Sequence, residues 1–248
     1  MGIAAIRFGT RTHTAGMYIR LAAFLLGMVF LTFVSACDSP QPRQAETEKR
    51  EAATPQPSHA DRPGKIIVAM GDSLTAGLGL PESESYPTLL EGLLDDRGHS
   101  YRVVNAGISG ETSSGARARV DWILKLEPEI VILETGANDG LRGIDPELVE
   151  QNINAIITRF TQEGVTVVLT GMQMVTNLGP DYVSSFNRIY PELAARHDVV
   201  LMPFFLEGVA TEASLNQEDG IHPNAGGYEV IATNLLPYVM EAIARRTP

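Results

Sequence analysis

The chain reads as an α/β domain of the flavodoxin-like kind, a three-layer α/β/α arrangement around a five-stranded parallel sheet, behind a separate N-terminal extension. Three observations predict this. From Lys65 onward, short β-rich runs alternate with longer amphipathic stretches, the pattern of strands covered by helices on both faces. Five such runs occur, whereas a closed barrel of β/α units needs eight. The polar, glycine-bearing motifs fall just past the runs, at the strand ends where open parallel sheets gather ligands.

The strands expected are Lys65 to Met70, Tyr101 to Ala106, Ile130 to Glu134, Val165 to Thr170 and Val199 to Met202. Each is short and rich in β-branched residues. Helices are expected over Ser85 to Asp96, Ser113 to Leu126, Pro146 to Glu163, Tyr182 to His197 and Ala225 to Arg245. Asp145 before Pro146 supplies an N-cap followed by proline at the first helical position, and Asn224 caps the last helix.

The extension divides in two. Residues 1–36 hold Arg7, Arg11 and Arg20 and no acid, and Leu21 to Val34 is almost wholly apolar, a length suited to the core of an export signal rather than a membrane span. The run ends in Val34-Ser35-Ala36-Cys37, which resembles the lipobox of bacterial lipoproteins, where the thiol is acylated and becomes the mature N-terminus. An uncleaved anchor helix is the competing reading; both place the remainder outside the cytoplasm. Asp38 resembles the signal that retains some lipoproteins at the inner membrane, and Met17 competes with Met1 as the start, since Met17 to Ala36 makes a compact signal by itself. Residues 37–64 are polar, proline-bearing and without apolar periodicity, the composition of a disordered tether, leaving 65–248 as the folded domain. With Cys37 the single cysteine, no intramolecular disulfide can form. The net charge of −11 repels phosphate backbones and argues against a nucleic-acid partner.

Chemistry concentrates in a few residues. Ser73, in Gly71-Asp72-Ser73-Leu74-Thr75, follows the first strand, where it serves equally well as an exposed nucleophile or as a helix cap. Thr75 stands where the nucleophile elbow of α/β-hydrolases has its second glycine, so that elbow is not implied. Of five histidines, His13 lies in the leader, His59 in the tether, His99 in a turn, and His197 at a helix end as a partly exposed cation. His222 alone stands in a loop with an acid three residues before it. In Asp219-Gly220-Ile221-His222 the glycine permits the turn that returns the carboxylate to imidazole Nδ1; Glu218 is the alternative acid. Gly107 and Asn138 are candidate oxyanion donors, each with an ordinary role as loop or turn residue. Asp72, Asp139 and Glu134 read as turn, cap or sheet-edge residues rather than metal ligands, Met172 and Met174 as core or pocket lining, and Asn177 to Pro180 as a loop beside the site. No metal or cofactor is called for.

Together, Gly-Asp-Ser, Gly107, Gly136-x-Asn138-Asp139 and Asp219-x-x-His222 resemble the four blocks of the SGNH hydrolase family, over about Lys65 to Arg245. Tyr190-Pro191-Glu192-Leu193-Ala194 and Pro203-Phe204-Phe205-Leu206-Glu207 are similar to its bacterial periplasmic branch of acyl-CoA thioesterases, lysophospholipases and arylesterases. The resemblance implies the SGNH fold, Ser73 as nucleophile, Asp219 with His222 completing the triad, and an oxyanion hole from the N–H groups of Ser73 and Gly107 with the amide of Asn138. It implies an acyl-enzyme route on small-molecule or lipid esters; the lipobox, separately, places the chain at a membrane through Cys37, and the oligomeric state is left open with a monomer as the first expectation. The lipobox and tether depart from the soluble members of that branch. Deacetylation of cell-wall or exported polysaccharide, a non-catalytic ligand-binding lipoprotein and an FMN binder are the alternatives; the last lacks a phosphate-cradling loop.

Overall fold

The structure, a computed structural model, describes residues 65–174 and 178–246. The leader, Cys37, the tether, His13, His59 and Asn177 lie outside them. Among the described residues no helix is long and apolar enough to cross a membrane.

Five parallel strands lie in the order β2-β1-β3-β4-β5: β1 (Lys65–Gly71), β2 (Tyr101–Gly107), β3 (Ile130–Glu134), β4 (Thr166–Thr170) and β5 (Val200–Met202). This is the flavodoxin-like order, whose reversal of winding falls between β1 and β3. β3 is buried throughout and β1 from Ile67 onward because helices cover both faces, which is why their sequences are continuous apolar runs there instead of alternating ones. The helices are α1 (Ser73–Ala76), α2 (Tyr86–Asp95), α3 (Ser113–Ala118), α4 (Val120–Leu124), α5 (Ala137–Leu141), α6 (Pro146–Gln162), α7 (Pro180–His197) and α8 (Ala225–Arg246). α2 packs on α8, while α3, α4 and α7 pack on α6.

The expected elements are all present, with boundaries shifted by a residue or two. Asp145 Oδ1 accepts the Glu147 N–H and Asn224 Oδ1 that of Gly227, so both caps stand. Two expectations need correction. The stretch Ser113 to Leu126 is two helices, because Arg119 leaves helical geometry (φ −110°, ψ 10°) and turns its guanidinium inward, where Nε and Nη2 grip Glu111 and Nη2 also reaches Gly71 O. His197 does end α7, but its Nε2 meets Asn154 Oδ1 at 2.8 Å and burial, then Arg196, lowers its pKa, which disfavours the cation expected there.

Two tertiary bonds tie the sheet to its helices, one at a strand exit and one within a strand. Tyr190 on α7 donates to Thr135 O at 2.8 Å, holding the turn between β3 and α5; Gly136 there has φ 104°, and a Cβ on it would lie 2.3 Å from that hydroxyl. On the outer strand, Glu91 of α2 accepts the Val103 N–H at 2.7 Å. Tyr190→Phe leaves Thr135 O buried and unpartnered, so denaturant unfolding should show a loss of about 1–3 kcal/mol with an unchanged m-value.

Candidate active site

The site forms where β1 and β3 end. β1 runs straight into α1, and the cap of that short helix is Asp72: its Oδ1 accepts the Leu74 N–H at 2.9 Å. Ser73 is thereby the first helical residue and not the cap, and its hydroxyl is free for another partner. That partner is His222, whose Nε2 lies 2.9 Å from Ser73 Oγ across 149 residues of chain.

The imidazole is held by its own loop. Gly220 adopts φ 67°, the left-handed conformation that lets the chain fold back, and Asp219 Oδ1 accepts the N–H groups of Ile221 (2.9 Å) and His222 (3.0 Å) while Oδ2 meets His222 Nδ1 at 2.6 Å. A carboxylate only accepts, so Nδ1 carries the hydrogen and Nε2 presents a lone pair to the serine hydroxyl. The His222 backbone N–H, its ring and the Ile221 N–H hold the Asp219 pKa at about 2, below its ordinary 3.8. A depressed carboxyl stabilises the loop above its ordinary value and loses that effect as pH falls toward 2. Asp219 is 46% exposed, so water screens the gain, and the carboxylate acts chiefly by fixing ring orientation. Glu218 makes no bond to the ring.

Asn138 opens α5, and its Nδ2 donates to Asp72 Oδ2 at 2.9 Å, which leaves the second amide hydrogen unclaimed at the same mouth as Ser73. Asp139 turns away from it and accepts the N–H and hydroxyl of Ser113, binding α5 to α3. Gly107 is placed otherwise than expected. Its N–H already donates to Asn105 Oδ1 at 3.0 Å, and a Cβ on it would lie 2.2 Å from Ala76 N, so its smallness serves the packing of β2 against α1. Three residues on, Gly110 has φ 79° and no acceptor for its N–H among the described residues. Its carbonyl takes Arg142 Nη2 at the end of α5, and its neighbour Glu111 is tied through Arg119 to Gly71 O. It is thus bracketed between the turn of Ser73 and the helix of Asn138. Glu134 is no sheet-edge residue: it ends the central strand, fully buried, with Oε2 accepting the Asp72 N–H and the Thr75 hydroxyl, both at 3.0 Å.

A cavity of about 270 Å³ opens beside Ser73, Asn138 and His222 and is walled by apolar side chains, among them Leu74, Leu141, Met172, Met174, Phe204 and Leu206. Met172 and Met174 are pocket lining, as expected; Leu178, Gly179 and Pro180 do not line it. A larger groove, about 480 Å³, between α6 and α7 is edged by carboxylates and holds no histidine. Among the described residues, no three His, Cys, Asp or Glu side chains are grouped as metal ligands.

A hydroxyl, an imidazole and a carboxylate in one hydrogen-bonded line, beside unclaimed N–H donors and an apolar pocket at the switch point of a flavodoxin-like sheet, define a serine ester hydrolase. The chain belongs to the GDSL-like lipase/acylhydrolase family, whose model matches residues 69–230. Esterase TesA of Pseudomonas aeruginosa is 42% identical over 174 residues, 70% of this chain and 87% of the relative. Thioesterase 1/protease 1/lysophospholipase L1 of Escherichia coli K12 is 39% identical over 167 residues, 67% of this chain and 79% of the relative. A crystal structure of TesA superposes with a TM-score of 0.69 at 41% identity, covering 72% of this chain and 99% of that one. The protein is a carboxylic ester hydrolase acting on small-molecule esters.

Sequence reasoning did not single out Gln217. Its Nε2 donates to Leu78 O beyond α1 (2.7 Å) and to Pro223 O (2.9 Å), stapling the histidine loop to the serine turn. Gln217→Ala should therefore leave the global unfolding free energy nearly unchanged while amide exchange at Ile221 and His222 speeds up by about tenfold, the equivalent of one lost hydrogen bond.

Proposed function

We propose that Ser73, His222 and Asp219 are the catalytic triad of an exported, lipid-anchored esterase that cleaves acyl and aryl esters, lysophospholipids among them. One observation carries the reading: the unbroken line from Asp219 Oδ2 through the imidazole to Ser73 Oγ, with contacts of 2.6 and 2.9 Å. His222 takes the Ser73 proton through Nε2 as the hydroxyl oxygen attacks the ester carbonyl, and Asp219 stabilises the imidazolium. Returning that proton to the leaving alcohol yields the acyl-enzyme, which water then clears through the same ring.

The oxyanion is received by the Ser73 N–H, by the unclaimed hydrogen of the Asn138 amide and by the N–H of Gly110. Gly110 takes the place first expected for Gly107, whose N–H Asn105 occupies. Apolar walls suit an acyl chain or aryl ring better than a hydroxylated sugar. The cavity's 270 Å³ lies just below the roughly 300–1,000 Å³ usual for small-molecule sites. Cys37, as the acylated N-terminus behind an export signal, anchors the enzyme outside the cytoplasm, and Asp38 directs it to the inner membrane.

A fluorophosphonate probe should label the wild type at Ser73 and leave Ser73→Ala unlabelled; labelling elsewhere would overturn the assignment. Asp219→Asn should lower kcat at least about 10²-fold, short of the ~10⁴-fold typical of a buried triad carboxylate, because water reaches this one. Glu218→Gln should stay within about twofold, and equal losses at the two positions would refute the choice of acid. In a side-by-side assay of p-nitrophenyl esters, lysophosphatidylcholine and acetylated glycan, turnover of glycan alone would favour the deacetylase reading. Cys37→Ser should move the protein from the membrane to the soluble fraction after cell breakage.

A further inference from the structure

Glu134 is a buried carboxyl that the reaction described above does not use. It is fully buried at the end of the central strand. Its Oε2 accepts two hydrogen bonds, from the Asp72 N–H and the Thr75 hydroxyl, while Oε1 is buried with no partner. Asp72, itself 1% exposed, lies against it side chain to side chain and in turn holds the Leu74 N–H and the Asn138 amide.

No lysine or arginine pairs with either carboxyl among the described residues. The titratable groups facing the pair are Tyr86 from α2, Tyr190 from α7, Tyr228 from α8 and His222 from its loop. Arg119 is near, on Gly71 O, but its charge is taken by the two oxygens of Glu111. Two adjacent carboxylates in such a setting cannot both ionise at ordinary cost. Burial first, then the neighbouring Asp72, drives Glu134 well above the carboxylate range; burial raises Asp72 too, but bonds from Leu74, Glu134 and Asn138 oppose it. The proton therefore belongs to Glu134.

We propose that Glu134 is a neutral carboxylic acid whose hydroxyl donates to the Asp72 carboxylate, making it the positioning residue that fixes, through Asp72, both the Ser73 turn and the Asn138 amide. Protonation converts Glu134 from acceptor to donor and gives the orphan oxygen a role. Asp72 then has three donors, and its orientation, hence that of Asn138, is determined from beneath. The held proton also keeps the charge below the oxyanion at one unit instead of two; a second would oppose the negative charge that develops there. The inference rests on the assignment of Ser73 and Asn138 proposed above.

Glu134→Gln preserves shape, one acceptor and one donor, and Glu134→Ala removes them all. At neutral pH, the infrared spectrum of wild type minus Glu134→Gln should contain the carbonyl stretch of a protonated carboxylic acid. Glu134→Gln should keep kcat within about threefold of wild type, as same-shape polar replacements do. Glu134→Ala, if folded by circular dichroism, should lose kcat by about 10²-fold with KM nearly unchanged, the mark of lost positioning. Absence of the infrared band, equal impairment of the two variants, or a folded Glu134→Ala with wild-type kcat would each overturn the proposal. If Glu134→Ala does not fold, the band and the glutamine variant still decide it. Ser73→Ala run in parallel separates the two ideas: turnover close to the wild-type rate there would sink the triad assignment while leaving the band in place.

Discussion

The Ser73 turn and the Asn138 amide are both arranged around a carboxylate that touches no substrate atom in the scheme proposed above. Asp72 caps α1 with one oxygen and holds Asn138 with the other, so the exits of β1 and β3 are joined by a side chain instead of by sheet bonds alone. Parallel strands diverge beyond their last ladder pairing, and the gap at the switch point is what makes a crevice there. The same gap would let serine and asparagine drift apart. A fixed link across it turns two loops into one surface, against which the His222 loop then closes.

The two halves of the site are held by different physics. Ser73 and Asn138 stand on a network whose Asp72, Leu74, Thr75 and Glu134 bonds are sheltered from water and strong for that reason, while the Asn138–Asp72 bond is partly buried. His222 and Asp219 sit on a loop closed by two local contacts, the Asp219 turn and the Asn216–Pro223 bridge, and by the Gln217 staple, which reaches across to Leu78. In the proposed mechanism, a firmly held Ser73 facing a more lightly held His222 suits a ring whose Nε2 takes the proton from Ser73 Oγ and then passes it to the leaving alcohol.

How much of this the sequence discloses follows from the range of the forces involved. The strands and caps were legible because they depend on nearby residues: runs such as Ile130 to Glu134 need only be apolar and β-branched, and Asp145-Pro146 is a local signal. The Asp219–His222 turn was legible for the same reason. The break at Arg119 was not, since it answers to Glu111 and Gly71 O, nor was the lowered pKa of His197, set by burial and then Arg196. Glu134 read as a sheet-edge residue because strand order is a long-range property, and the order puts β3 in the middle. Gly107 drew attention as the glycine directly after a strand, but that glycine is small to admit α1, and no local pattern distinguishes it from Gly110. One signal could have pointed to Glu134: an acid ending an otherwise apolar central run needs partners supplied by the fold.

The bond between Glu91 and the Val103 N–H bears on how copies of the enzyme coexist. β2 is an outer strand of the sheet, and an outer strand with a full row of vacant donors is a template on which a second molecule can extend the sheet. By drawing one of those donors inward, the glutamate interrupts the row midway along the strand. Crowded side by side, neighbouring molecules meet there an incomplete ladder backed by an acidic side chain, which disfavours runaway aggregation through that edge.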